Sequence, residues 1–98
     1  KATLVVGTHT HVPTNDVRVL NNGTAYQTDA GMCGDYNSVI GMNKENSLNK
    51  FFKMESIKHF PSKGEASLCG VIVEANDKNG LAEKATSFIY GGDLKNIN

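Results

Sequence analysis

The stretch VVGTHTHVP, residues 5–13, sets the frame for reading the whole chain. Val5 and Val6 close an apolar run that begins at Ala2, and Gly7 breaks it. His9 and His11 then follow with one residue between them, and Pro13 stops regular pairing. This is the pattern of a short buried strand over 2–6 that delivers a loop at its end. On a helix, residues two apart point to nearly opposite sides. In extended backbone they face the same way, with Cα atoms roughly 6.5–7 Å apart. Two imidazoles so placed reach one metal ion, or one each of a pair about 3.5–4 Å apart. They are equally at home as solvated loop residues, and a structural site wants about four protein ligands. The spacing alone therefore leaves both readings open. The hydroxyls of Thr8 and Thr10 alternate with the histidines and are placed to orient ligands or to touch a phosphate oxygen. Thr10, flanked by both imidazoles, is the candidate substrate contact.

Outward from this loop, Val17-Arg18-Val19-Leu20 reads as a second strand. Asn21-Asn22-Gly23 carries the Asn-Gly hairpin signal, and residues 24–28 form the returning strand. Residues 29–37 (DAGMCGDYN) have loop composition. Asp29 and Asp35 read as Asx-turn formers there, and 31–34 as a tight turn near the site, without the Lys-Ser/Thr of a P-loop. Residues 43–54 carry a helical pattern: Leu48, Phe51 and Phe52 fall at i, i+3, i+4 and predict an apolar core stripe. Asn43 is placed to cap it, with Glu45 in the first turn. Residues 66–75 are apolar on both alternating faces, which predicts a central strand. Turn chemistry at 77–80 and a β-rich run over 81–90 predict a closing hairpin, ended by Gly91-Gly92. The polar last residues are expected to fray.

With 98 residues the chain is one domain or part of one. Its formal net charge is zero, which gives no electrostatic case for duplex nucleic acid or an anionic membrane as partner. No apolar run approaches the ~20 residues of a membrane-spanning helix. Cys33 and Cys69 lack a C-x-x-C spacing and suit reduced thiols in a cytoplasmic protein. Cys69, mid-strand, reads as a core residue, Cys33 as a remote candidate for a soft metal ligand, and His59 as a surface residue. The chain starts at Lys1 and enters a strand at once, so the natural chain is expected to extend further toward its N-terminus.

Ordered pieces of the chain carry a resemblance. They are Gly7-Thr8-His9-Thr10-His11-Val12-Pro13-Thr14, Gly23-Thr24-Ala25-Tyr26, Thr28-Asp29-Ala30-Gly31-Met32 and Ser38-Val39-Ile40-Gly41-Met42, with Gly64-Glu65-Ala66 before a later strand. Together they closely resemble the C-terminal part of the YmdB-like bacterial metallophosphoesterases, in the calcineurin-like phosphoesterase superfamily. The resemblance implies an α/β fold in which residues 1–98 are the C-terminal segment of a four-layered αββα sandwich, mainly strands and hairpins with one clear helix. It implies that His9 and His11 ligate two metal ions (iron, manganese or zinc). The reaction implied is hydrolysis of phosphoesters such as cyclic nucleotides by a metal-activated hydroxide. The family's remaining ligands and its proton donor come from segments upstream of this loop, so no catalytic residue beyond the ligands is expected within residues 1–98. The expected partner is that N-terminal segment, and open sheet edges also invite a second copy of the chain. A second reading is a non-catalytic domain that keeps the fold and works through protein contacts, with the histidines vestigial or structural.

Overall fold

In the computed structural model, the residues described are 2–45, 47, 48 and 61–94. Five strands run in chain order: β1 (Leu4–Val6), β2 (Arg18–Val19), β3 (Ala25–Gln27), β4 (Leu68–Ala75) and β5 (Ala82–Tyr90). β3 is the centre of a small sheet of order β1-β3-β2. It pairs parallel with β1 through Leu4↔Ala25, Val5↔Tyr26 and Val6↔Gln27, and antiparallel with β2 through Arg18↔Tyr26 and Val19↔Ala25. β4 and β5 form an antiparallel hairpin from Leu68↔Tyr90 to Ala75↔Ala82, with a bulge at Glu74/Ala75.

The Asn-Gly signal marks the β2–β3 turn. The Gly23 N–H donates to the Leu20 carbonyl at 2.9 Å, and Gly23 has φ 82°. Positive φ thus falls on the residue after the two asparagines, as in a three-residue hairpin loop that ends in a left-handed glycine. Gly23 also seats the second sheet on the first. The Ala82 N–H donates to its carbonyl at 2.7 Å, and a Cβ on Gly23 would lie 2.8 Å from that of Leu81. A bridge between Gly34 and Ser67 ties the loop after β3 to the start of β4.

The interior is small and largely polar. Among the described residues, Ala25, Cys69 and Ala82 are its buried apolar residues, while Gln27, Asp29 and Ser67 are the largest fully buried side chains. Cys69 sits inside, as its strand position predicts.

Three expectations need correcting. β1 is not buried: Leu4, Val5 and Val6 are 37%, 47% and 39% exposed, because β1 is the edge of its sheet. β4 is not a central strand: among the described residues β5 alone pairs with it, and Leu68 and Ile72 are about half exposed. Leu48 is likewise exposed rather than core. Apolarity on both faces of a strand records what its faces suit, and these residues supply one neighbour where two layers would be needed. The helical pattern begins as read, with helical backbone at 44, 45, 47 and 48 and the Ser47 N–H on the Asn43 carbonyl at 3.1 Å. Phe51, Phe52 and His59 lie outside the described residues, as does the rest of that segment. Among the described residues, no helix is long and apolar enough to cross a membrane.

Candidate functional site

The loop from Gly7 to Thr14 leaves the end of β1 and straddles the segment that leaves the end of β3. The Gly7 N–H donates to the Gln27 carbonyl at 3.2 Å, and the Ala30 N–H donates back to Gly7 at 3.0 Å. A Pro13–Ala30 bridge and the Thr14 N–H on the Asp29 carbonyl at 3.0 Å close the far side. His9, Thr10 and His11 form the exposed crest of this arch.

Asp29 holds the arch from beneath. It is 1% exposed. Its Oδ2 accepts the His9 N–H at 2.8 Å, the Thr10 N–H at 2.6 Å and the Thr10 hydroxyl at 2.8 Å, and its Oδ1 accepts the Gly31 N–H at 2.9 Å. The bond to Gly31 is the Asx turn that the sequence suggests; the other three reach across about twenty residues of chain. Donors converging on a carboxylate favour its charged form. The His9 N–H foremost, then that of Gly31, hold Asp29 well below the usual carboxylate range. Asp16 fastens the base of the same arch. The Thr14 hydroxyl donates to its Oδ1 at 2.7 Å, and Thr28 donates through both its hydroxyl and its N–H. These bonds, that of Thr14 first, pull the Asp16 pKa down to about 2.

His11 stands differently from His9. Its φ is 68°, in the left-handed region, and its Nδ1 lies 2.8 Å from the Ile40 carbonyl oxygen. A carbonyl carries no proton, so Nδ1 is the donor, and in the neutral ring Nε2 keeps its lone pair for another partner. Ile40 is itself at φ 44° and Gly41 at φ 92°. Val39 and Met42 exchange both backbone hydrogen bonds, at 3.0 and 2.9 Å. Positive φ at both central residues marks a type I′ turn, a geometry that suits Asn, Asp and Gly and disfavours a β-branched residue. A side chain held in so sparse a region costs about 1–3 kcal/mol.

The surroundings of the turn fix it in place. The Ser38 hydroxyl accepts the Gly41 N–H at 2.8 Å, and the Ser62 N–H donates to the Gly41 carbonyl at 2.8 Å. Asp35 anchors this assembly. Its carboxylate accepts the Asn37 N–H at 2.8 Å, the Gly64 N–H at 3.1 Å and the Ser62 hydroxyl, which together keep it ionised below the usual range, Ser62 contributing most. Residues 31–34 pass close to the arch in a bend at Cys33, with Gly31 against Pro13, rather than in the tight turn expected. There, the Tyr36 hydroxyl donates to the Met32 carbonyl at 2.8 Å, and burial pushes that phenol up. Cys33 is an exposed free thiol whose Sγ lies 3.4 Å from the Cys69 carbonyl.

His9, Thr10 and His11 are thus gathered on one short crest. The Thr10 hydroxyl points inward, onto Asp29 Oδ2 and, at 3.1 Å, onto the Val12 carbonyl. Among the described residues, no three His, Cys, Asp or Glu side chains converge as a metal site. The chemistry of the pair still suits a metal: the tautomer imposed on His11 leaves the ring nitrogen that a cation would take, as carbonyl-bonded histidine ligands characteristically do. Sequence reasoning did not single out Asp16 or the Ile40 carbonyl. Thr14-x-Asp16 is a common polar turn spacing, and a β-branched residue gives no sign of a left-handed turn.

The chain is similar to known proteins. A family model described as YmdB-like protein matches residues 1–88. A 2',3'-cyclic-nucleotide 2'-phosphodiesterase of Bacillus subtilis is 38% identical over 93 residues, covering 95% of this chain and 35% of that protein. The crystal structure of a novel phosphatase from Mycoplasma pneumoniae matches with a TM-score of 0.82 at 40% identity, over 89% of this chain and 31% of that one. That of a hypothetical protein from Thermus thermophilus matches with a TM-score of 0.82 at 34% identity, over 92% and 35%. The chain spans about a third of the length of the curated relatives it matches.

Proposed function

Because the chain belongs to the YmdB-like family, we propose that it is the C-terminal part of a metal-dependent phosphoesterase of the phosphodiesterase type, to which it contributes two metal ligands, His9 and His11. The observation that carries this reading is the His11 ring. Its Nδ1 is committed to the Ile40 carbonyl at 2.8 Å and its Nε2 is free to ligate. His9 shares the crest, and its backbone is pinned by a buried carboxylate, so both rings rise from a fixed arch.

Two bound ions, of iron, manganese or zinc, would supply Lewis-acid charge at the phosphoryl oxygens and a more acidic water. This chain's own residues bind and orient. Asp29 fixes the backbone at His9 and Thr10 by accepting their two consecutive N–H groups. Thr10 borders the phosphoester from between them, its hydroxyl proton already engaged by Asp29. The substrate class is a phosphodiester such as a cyclic nucleotide, after the activity in the name of the Bacillus subtilis relative.

The fold completes in the same way. Residues 1–98 form one side of a four-layered αββα sandwich, and an N-terminal segment of that fold covers the apolar faces of β1 and β4 and supplies the remaining ligands. The free thiols of Cys33 and Cys69 suit a reducing cytoplasm.

The test is hydrolysis of bis-p-nitrophenyl phosphate and of a 2',3'-cyclic nucleotide by the protein expressed at the full length of its gene. Diester hydrolysis that is abolished by a chelator and by either His9→Ala or His11→Ala is the expected result. Hydrolysis unaffected by both substitutions would overturn the assignment.

A further inference from the structure

We infer that the strained turn Val39–Met42 is a positioning device for His11: its Ile40 carbonyl selects the His11 tautomer and aims Nε2 outward. This inference rests on the metal-ligand reading above and gives a backbone group far along the chain a part in that site.

Among the described residues, two non-glycines have positive φ, and they are His11 and Ile40. These two, separated by 29 positions, are the two ends of a single hydrogen bond. Two uncommon conformations meeting at one bond is the pattern of a geometry imposed by function rather than by propensity. Burial does not account for the Ile40 conformation, since that residue is 60% exposed. What the turn delivers is the carbonyl.

The turn is also built to resist relaxing. Ser38 holds the Gly41 N–H, Ser62 holds the Gly41 carbonyl, and Asp35 holds Ser62. A Cβ on Gly41 would lie 2.8 Å from Met32 Sδ, so the turn rests directly on the Met32 side chain. Gly41 is needed both for its φ of 92° and for that approach. The chain of contacts therefore runs from Asp35 through Ser62 and Gly41 to Ile40 and His11. A hydrogen bond from the second ring nitrogen fixes the orientation of a ligating histidine, and loss of such a partner typically weakens metal binding about 10–100-fold.

The experiment uses the protein expressed at the full length of its gene. Long-range ¹H–¹⁵N correlation of the histidine rings in the metal-free protein reads the tautomer without any metal present. Mn²⁺ affinity is then measured by competition with a chelator. Wild type is expected to show His11 protonated at Nδ1 and bare at Nε2. Gly41→Val, which forbids the turn, should move His11 to the Nε2–H form and weaken Mn²⁺ binding about 10–100-fold. Ile40→Gly keeps the carbonyl and removes the strain, and should retain both the wild-type tautomer and the affinity. An Nε2–H tautomer in wild type overturns the inference, even if Gly41→Val does not fold. So does a folded Gly41→Val protein with unchanged tautomer and unchanged affinity. An Nδ1–H wild type that binds no Mn²⁺ refutes the metal reading itself, and the positioning role falls with it.

Discussion

In the β4–β5 hairpin, Leu68–Ala75 and Ala82–Tyr90 pair in an almost continuous ladder, and their side chains are mostly exposed or half-buried. The loops at 7–14 and 28–42 have little regular pairing, yet they contain Asp29 and Asp35, two of the four buried polar residues among those described. The hairpin is held by backbone bonds that any sequence with the right pattern would make. The loop half is held by particular carboxylates, each satisfied by several donors. A loop without a large core beneath it needs another source of fixed geometry. Converging hydrogen bonds supply that, because a buried carboxylate stripped of its donors is strongly disfavoured. The hairpin instead leaves Leu68, Ile72 and Tyr90 exposed.

Substitutions that break one half and spare the other separate these two modes. The largest effect is expected at Asp29. Asp29→Ala leaves the His9, Thr10 and Gly31 N–H groups without their acceptor, so Mn²⁺ affinity should fall about 10–100-fold and the melting temperature should drop. Asp29→Asn should fall between that variant and wild type in the same chelator competition.

Gly70→Val tests the hairpin. A Cβ there would lie 2.6 Å from Phe88 Cε1, across the register pair, so overpacking should cost about 1–3 kcal/mol in denaturant unfolding and leave metal affinity intact. Equal losses of metal from Gly70→Val and Asp29→Ala would dissolve the distinction between the two halves.

Acid should discriminate them as well. Asp16 is held at about 2 in the folded protein, against about 3.9 unfolded. Its folded-state pKa is depressed, so its contribution is complete above about pH 4 and is lost as pH falls toward 2. Asp29 and Asp35 shift in the same direction. Amides at His9, Thr28 and Asn37 should therefore lose exchange protection in acid before those of β4 and β5. Asp16→Asn should flatten the pH dependence of the melting temperature below about pH 4. The smallest effect belongs to the exposed Glu74–Lys84 pair at 3.9 Å, where Lys84→Ala should change stability by about 0–1 kcal/mol.

The strands were legible because their signals are local. Alternation, β-branched runs, Asn22-Gly23 and Asn79-Gly80 place all five strands and both hairpin turns within a residue or two. The exposure of β1 was not legible. Leu4-Val5-Val6 reads as buried because apolar character tells what a strand can pack against, and it does not supply the neighbour. The site was half legible. The closeness of His9 and His11 in sequence announces a shared crest, although His11 at φ 68° departs from the extended backbone their spacing suggests, and Asp29 announces its Asx turn to Gly31. The bonds from Asp29 to His9 and Thr10 join positions some twenty residues apart, and no local pattern encodes them. The Ile40 turn runs against propensity altogether: a β-branched side chain argues for extended backbone, and tertiary contacts from Ser38, Ser62 and Met32 overrule it.

On the proposed function, the arch holds metal on His9 and His11. Metal content by inductively coupled plasma mass spectrometry tests it most directly, on the protein expressed at the full length of its gene and on its His9→Ala and His11→Ala variants. About two ions per chain in wild type, and a clear loss in each variant with the fold retained by circular dichroism, is the expected outcome. Equal metal content in all three proteins, or none in any, would contradict it.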